Sequence, residues 1–182
     1  MKLKIIFLLI IFLGLAGYYV IRSGYYPLAI VNRTPIFASK FIENYGSALV
    51  YYQNILQTYP KDTAFDTSEI LDELKRATLD KLIEDVLIYQ ELGRVVGTTE
   101  VSRLVSEKIP NFQESAVSLY GLTPERFKEL VLVPQARREI LELKIPNNKQ
   151  SFDEWLTVIR RSAKVMVFSS KLTWDGIVVV ND

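Results

Sequence analysis

The chain has 182 residues, room for one membrane segment and one domain, and 49% of them are hydrophobic, enough for a real core. It has no cysteine and no histidine, which excludes disulfides, thiol nucleophiles, histidine-based triads and zinc sites built on Cys or His. Lys and Arg number 22 against 21 Asp and Glu; with Lys2, Lys4 and Arg22 set aside, 19 basic residues face 21 acidic ones, a balance that lacks the basic stripe of a nucleic-acid binder.

Lys2 and Lys4 precede an unbroken apolar run, Ile5 to Ile21, closed by Arg22. A run of 17 residues is at the lower limit for a membrane-spanning helix. The positive flank keeps the N-terminus in the cytoplasm. The expectation is a signal anchor over 1–22, a short linker over 23–27, and a domain over 28–182 outside the cytoplasm, on a single-pass protein of the cell membrane. Tyr18, Tyr19, Tyr25 and Tyr26 then sit at the outer interface as an aromatic belt. The alternative is a cleaved signal peptide, with small residues at Gly14-Leu15-Ala16. Both export the domain.

Leu28 to Val31, the turn Asn32-Arg33-Thr34-Pro35 and Ile36-Phe37 predict two short strands. Ser39 is placed to cap a helix that runs to about Tyr59, where Pro60 stops it. Phe41, Tyr45, Ala48, Leu49, Tyr52, Ile55 and Leu56 recur on one side of it. Asp66 and Glu69 form a capping box, and Phe65 and Ile70 a hydrophobic staple, for a helix to about Leu92 with Gly93 and Gly97 as stops. Two stripes, Leu71-Leu74-Leu82-Val86-Tyr89 and Leu79-Ile83-Leu87, make its second half apolar over a wide arc and mark it as the central strut.

Thr98 or Thr99 is expected to cap a shorter helix carrying Val101, Leu104, Val105 and Ile109. Phe112 to Tyr120 reads as another helix, closed by Gly121. Thr123 and Pro124 open the next, which runs to about Ile145 and should be kinked by Pro134. Ser151 and Glu154 form a second capping box, before a helix through Trp155, Leu156, Ile159 and Ala163. Val165 to Phe168 is a strand, Trp174-Asp175-Gly176 a turn, and Ile177 to Val180 a last strand. The predicted fold is mainly α, closed by a small sheet where the N- and C-terminal strands meet. Arg137-Arg138 and Arg160-Arg161 read as solvated faces, or as partners of Glu139, Glu142 or Glu154.

The pieces Ala29 to Ile36, Leu79 to Gly93, Thr98-Thr99-Glu100-Val101, Tyr120 to Phe127, Trp155 and Ala163-Lys164-Val165, in this order and spacing, resemble the N-terminal chaperone module of SurA- and PrsA-type exported foldases. That fold is shared with part of trigger factor, and the resemblance covers about Leu28 to Phe168. Two departures matter. The family has Asn-Gly at the first turn, where a type I′ geometry needs positive φ at both central residues; here the second is Arg33, which implies another turn type or slight strain. Family members also carry a parvulin-type prolyl isomerase before the last helix, and here Pro146 to Gln150 fill that place.

The resemblance implies a membrane-anchored, chaperone-like module that binds unfolded or extended polypeptide clients, without a cofactor, a metal or a catalytic residue. Such binding needs an accessible apolar surface with a polar rim. The candidate client-binding residues are Tyr51, Tyr52 and Tyr59 on the first domain helix, Phe112 and Tyr120 in the middle, and Trp174 near the end; ordinary core packing is the competing reading for each. An assembly factor for one specific envelope partner is the alternative. A peptidyl-prolyl isomerase is the third reading, and it lacks a recognisable catalytic domain.

Overall fold

A computed structural model of the chain describes residues 2–58, 67–109, 114–145 and 151–181. Helix α1, Lys2–Arg22, precedes strands β1, Pro27–Val31, and β2, Thr34–Phe37. Helices α2, Ala38–Thr58, α3, Thr67–Val96, α4, Thr98–Lys108, and α5, Glu114–Leu119, follow. After them come α6, Pro124–Phe127, a π-helix at Lys128–Leu132, α7, Val133–Lys144, and α8, Phe152–Ser162. Strands β3, Val165–Val167, β4, Leu172–Trp174, and β5, Val179–Asn181, complete the chain. The fold is mainly helical with small antiparallel sheets, as the pattern predicts.

The expected spanning segment forms as helix α1. Among the described residues, however, no helix is long and apolar enough to cross a membrane. The apolar run of 17 residues at 1.5 Å each covers about 25 Å, against about 30 Å of hydrocarbon.

The two ends of the domain do meet. β1 lies between β2 and β3, with Ala29 opposite Ile36 on one side and Val167 on the other. The β1–β2 turn is of the I′ kind after all, with φ of 47° at Asn32 and 75° at Arg33. Arg33 carries the cost of a left-handed conformation, about 1–2 kcal/mol. Asn32 offsets it by bridging three elements. Its amide accepts from Lys164 N at 2.8 Å and donates to Gln90 Oε1 at 3.1 Å, tying the turn to α3 and to the entry of β3.

Several boundaries differ from expectation. α2 begins one residue before Ser39. α3 runs through Gly93 and ends at Gly97, whose φ of 86° breaks the helix; Gly93 keeps helical geometry, and only the second glycine takes the left-handed turn. Gly97, not Thr98 or Thr99, is the cap of α4, and it makes no side-chain capping bond. Trp174 closes strand β4, which pairs with β5, so the turn begins at Asp175. The Asp175 carboxylate accepts from Ile177 N and Val178 N, both at 2.8 Å, and shapes that turn. The Ser151–Glu154 capping box is present with both reciprocal bonds, at 3.2 and 3.0 Å. The Asp66 cap and the Phe65 staple lie outside the described residues.

Helix α3 is the strut that its two apolar stripes predict. Its middle turns pack Leu79, Leu82, Ile83 and Leu87 against Ala29, Val31 and Ile36 of the sheet and Leu172 and Val179 of the hairpin. Its second half packs Ile88 and Leu92 against Val101 and Val105 of α4, Ile140 and Leu141 of α7, and Leu156 of α8. Trp155 is half-buried on this second cluster, its ring 5.7 Å from that of Phe152.

Arg160, read from the sequence as a solvated residue or a partner of a nearby glutamate, is buried, and its carboxylate partners come from α3. It forks onto Asp80 at 2.9 and 3.2 Å, reaches Glu84 at 2.9 Å, and donates to the Ile177 carbonyl at 2.9 Å. Burial works against its charge, but Asp80 and Glu84 outweigh that and raise its pKa above the usual guanidinium value. Removing one partner of such a group strands the others. Arg160→Ala should therefore cost about 3–5 kcal/mol in urea unfolding. A variant that also carries Asp80→Asn and Glu84→Gln should regain much of it; a loss as small as that of an exposed pair, below about 1 kcal/mol, would contradict the assignment.

Candidate functional site

A groove of about 330 Å³ opens between α3 and the π-helix–α7 segment. Ile88, Leu130, Val131, Pro134 and Tyr120 supply its apolar lining, and Lys81, Glu84, Asp85 and Arg138 its charged rim.

The local sequence explains the shape. The Thr123 hydroxyl accepts from Arg126 N at 3.4 Å, and Pro124 takes the first helical position. The helix then cannot continue as a regular α-helix, because Pro134 has no N–H for Leu130 O and its ring crowds that carbonyl. The chain widens instead, and Val133 N bonds back five residues to Lys128 O. The expected kink at Pro134 is thus absorbed as a π-helix at Lys128–Leu132, which leads into the groove wall at Leu130 and Val131.

The rim charges are paired. Lys81 meets Asp85 at 2.8 Å, and Arg138 bridges Glu84 at 2.5 Å and Asp153 at 2.7 Å. Arg138 also lies over the Phe152 ring at 4.9 Å. Arg137 stacks on Tyr89 at 4.5 Å; its Nε is buried without a hydrogen-bond partner among the described residues, and burial lowers its pKa. The wall is therefore apolar while the edge is polar and charge-compensated.

Tyr120 is fixed from α2. Its ring stacks on Tyr51 with centroids 4.6 Å apart, and it tilts against Phe127 at 5.3 Å. Ser47 Oγ donates to Tyr120 O at 3.3 Å, and Asn54 donates to Leu119 O at 2.9 Å. Arg126 adds a fork onto Glu43. Burial, with Tyr51 alongside, pushes the Tyr120 phenol above its ordinary value, so it is neutral at physiological pH.

Of the residues singled out from sequence, Tyr51 and Tyr120 come together, with Tyr120 lining the groove. Tyr52 is half-buried on α2. Trp174 packs on the sheet-side core, with the Arg160 guanidinium 5.9 Å from its ring centroid. Tyr59 and Phe112 lie outside the described residues. Sequence reasoning missed Ile88, Leu130, Val131 and Pro134; the one signal for them was a proline inside a helical apolar pattern. A second cavity, about 450 Å³, has Leu28, Phe41 and Leu172 on its wall. The Asp72–Lys75 pair, 2.7 Å apart, closes one side of it.

A helical domain strung on one long helix, closed by a sheet of its two ends and grooved beside a π-helix, defines the class. Residues 1–139 match the family described as the SurA-like N-terminal domain, and the chain belongs to that family. At the level of the family it is a chaperone-type module. No curated protein and no solved structure matches the chain.

Gly121 holds Tyr120 in place. Its φ is +63°, and an added Cβ would meet Val50 Cγ1 of α2 at 2.9 Å. Gly121→Ala should therefore destabilise by about 1–3 kcal/mol, combining left-handed strain with overpacking. Its near-UV circular dichroism should show the Tyr51–Tyr120 stack loosened. A fully wild-type melting curve and spectrum would rule out this close approach.

Proposed function

We propose that this chain is a membrane-anchored, extracytoplasmic module that holds unfolded or extended segments of exported proteins in the groove beside the π-helix. The observation that carries the reading is the groove itself. Its wall is apolar and backed by Ile88 and Leu130, both buried, while its rim charges are already paired within the chain. A client side chain entering it gains apolar contact without stripping water from an unpaired charge. Its volume lies at the low end of ligand-sized clefts, about 300 Å³, which suits a weak grip repeated along many clients.

The anchor reading rests on α1. Every side chain described in it is exposed, and they are apolar on all sides up to Ile21, with Lys2 and Lys4 before them and Arg22 after. A helix apolar all round calls for a cover on all sides, and lipid gives that where a single protein partner covers one stripe. The short reach is made up by tyrosines at the interface. The domain then faces away from the cytoplasm, because the positive flank stays inside.

The test uses the full-length chain in lipid nanodiscs with a chemically unfolded client. It should suppress aggregation, and it should not bind the same client when folded. Val131→Gln, in the groove wall, should weaken suppression several-fold with an unchanged melting temperature. Val158→Gln, on the exposed side of α8, should change nothing. Absence of suppression at several-fold molar excess, with one dominant crosslinked partner, would replace the holdase with a dedicated assembly factor.

A further inference from the structure

The end of α1 is not followed by a free tether. Ser23 N, Gly24 N and Tyr25 N bond back to Tyr19, Ile21 and Val20 carbonyls at 2.9, 3.2 and 3.0 Å. Gly24 is buried and left-handed, and a Cβ there would meet Ser39 N at 2.7 Å. Ser39 N donates to Gly24 O and Ala38 N to Tyr26 O, both at 3.0 Å. The close of α1 is thus backbone-bonded to the start of α2, and the base of the domain is held at a set place beside the helix.

That base is aromatic and basic. Tyr25 is 61% exposed and Tyr26 40%. Phe37 pairs with Pro27 in the sheet register, and Phe168 N bonds to Leu28 O, so Phe37 and Phe168 stand at the α1 end of the sheet. Both are exposed, Phe168 at 52%. The first acidic residue of the chain is Glu43, while Arg22 and Lys40 lie before it, on either side of Tyr25, Tyr26 and Phe37 in sequence.

We propose that the domain rests on the lipid surface itself: Tyr25, Tyr26, Phe37 and Phe168 enter the headgroup region of an anionic bilayer, with Arg22 and Lys40 against its phosphates. This rests on the anchor reading above. Lipid is the occupant favoured by three things on this face. Exposed apolar and aromatic residues stand on both sides of the α1 junction, Tyr18, Tyr19 and Ile21 before it and Tyr25 and Tyr26 after it. The exposed rings include tyrosines, which suit the boundary between hydrocarbon and water. Arg22 and Lys40 flank Tyr25, Tyr26 and Phe37 in sequence and complement anionic headgroups, while the nearby Asp72 is paired with Lys75.

The absence of cysteine allows single spin labels to be placed anywhere in the full-length chain. Phe37→Cys, Phe168→Cys and Lys40→Cys would be labelled in vesicles of phosphatidylcholine with phosphatidylglycerol, each checked for wild-type circular dichroism. Phe12→Cys reports the anchor, and Leu143→Cys and Val158→Cys report the water-facing domain. The expected result is several-fold lower collision with a water-soluble nickel relaxant at positions 37, 168 and 40 than at 143 and 158, with raised collision with lipid-dissolved oxygen. Position 12 in lipid with 37, 168 and 40 fully aqueous would overturn lipid contact and keep the anchor. Position 12 itself aqueous would overturn both. Labels at 37 and 168 shielded from nickel and oxygen alike would mean protein cover, by a second copy or a client, and would also overturn the proposal.

Discussion

The whole arrangement depends on one buried cation. Arg160 arrives on α8 and is met by Asp80 and Glu84, one turn apart on α3. Asp80 has a second duty, since its Oδ1 also accepts from Val179 N of β5 at 2.9 Å. Arg160 returns the tie through Ile177 O, and Arg76 adds a bond to Val179 O at 2.8 Å. Three segments, α3 and the later α8 and β4–β5 hairpin, thus share one set of charges. Desolvation makes such a cluster a poor source of net stability and a good source of specificity. It accepts one register of α8 on α3, because a slip by one residue would bury a carboxylate with nothing to meet it.

Much of the frame was legible because period and chemistry agreed. The double stripe on α3 identified the strut, and Ser151 and Glu154 marked the start of α8. β-branched ends of the domain pointed to a shared sheet. Boundaries failed where two signals of similar strength competed. Gly93 and Gly97 carry the same local preference, yet Gly93 stays helical and Gly97 takes the left-handed φ that ends α3. Asn32-Arg33 implied another turn type or slight strain; the turn has positive φ at both residues, and α3 and Lys164 bond to Asn32 from outside it.

The groove was less legible, for a physical reason. Aromatic residues were sought as a cluster, but a cluster depends on which helices meet, and that is a tertiary fact. Tyr51 and Tyr120 are 69 positions apart, and nothing local joins them. Trp174 went instead to the core beneath Arg160. The aliphatic wall came from a backbone event, the widening ahead of Pro134, which composition does not announce. Arg160 was misread because charge was weighed by type and not by position. It lies four residues after Leu156, on the side of α8 that packs, while Asp80 and Glu84 interrupt the apolar stripes of α3 at the same spacing. An acidic pair at i and i+4 within a buried face calls for a cation from elsewhere in the chain.

Glu84 joins the two halves of the molecule. One carboxylate oxygen accepts from Arg160 at 2.9 Å in the buried cluster, and the other from Arg138 at 2.5 Å on the groove rim. The two bonds differ in setting: Arg160 is buried, while Arg138 is half-exposed and has a second partner in Asp153. An exposed bond is worth about 0–1 kcal/mol and exchanges readily with water; a buried one is costly to break. Of the two, the Arg138 bond is the one that opens more readily. Glu84 stays paired through Arg160, so no buried charge is stranded. The rim bond can therefore exchange with water while α3, α8 and the hairpin stay locked, and α7 is held to α3 beneath it by Ala136, Ile140 and Leu141.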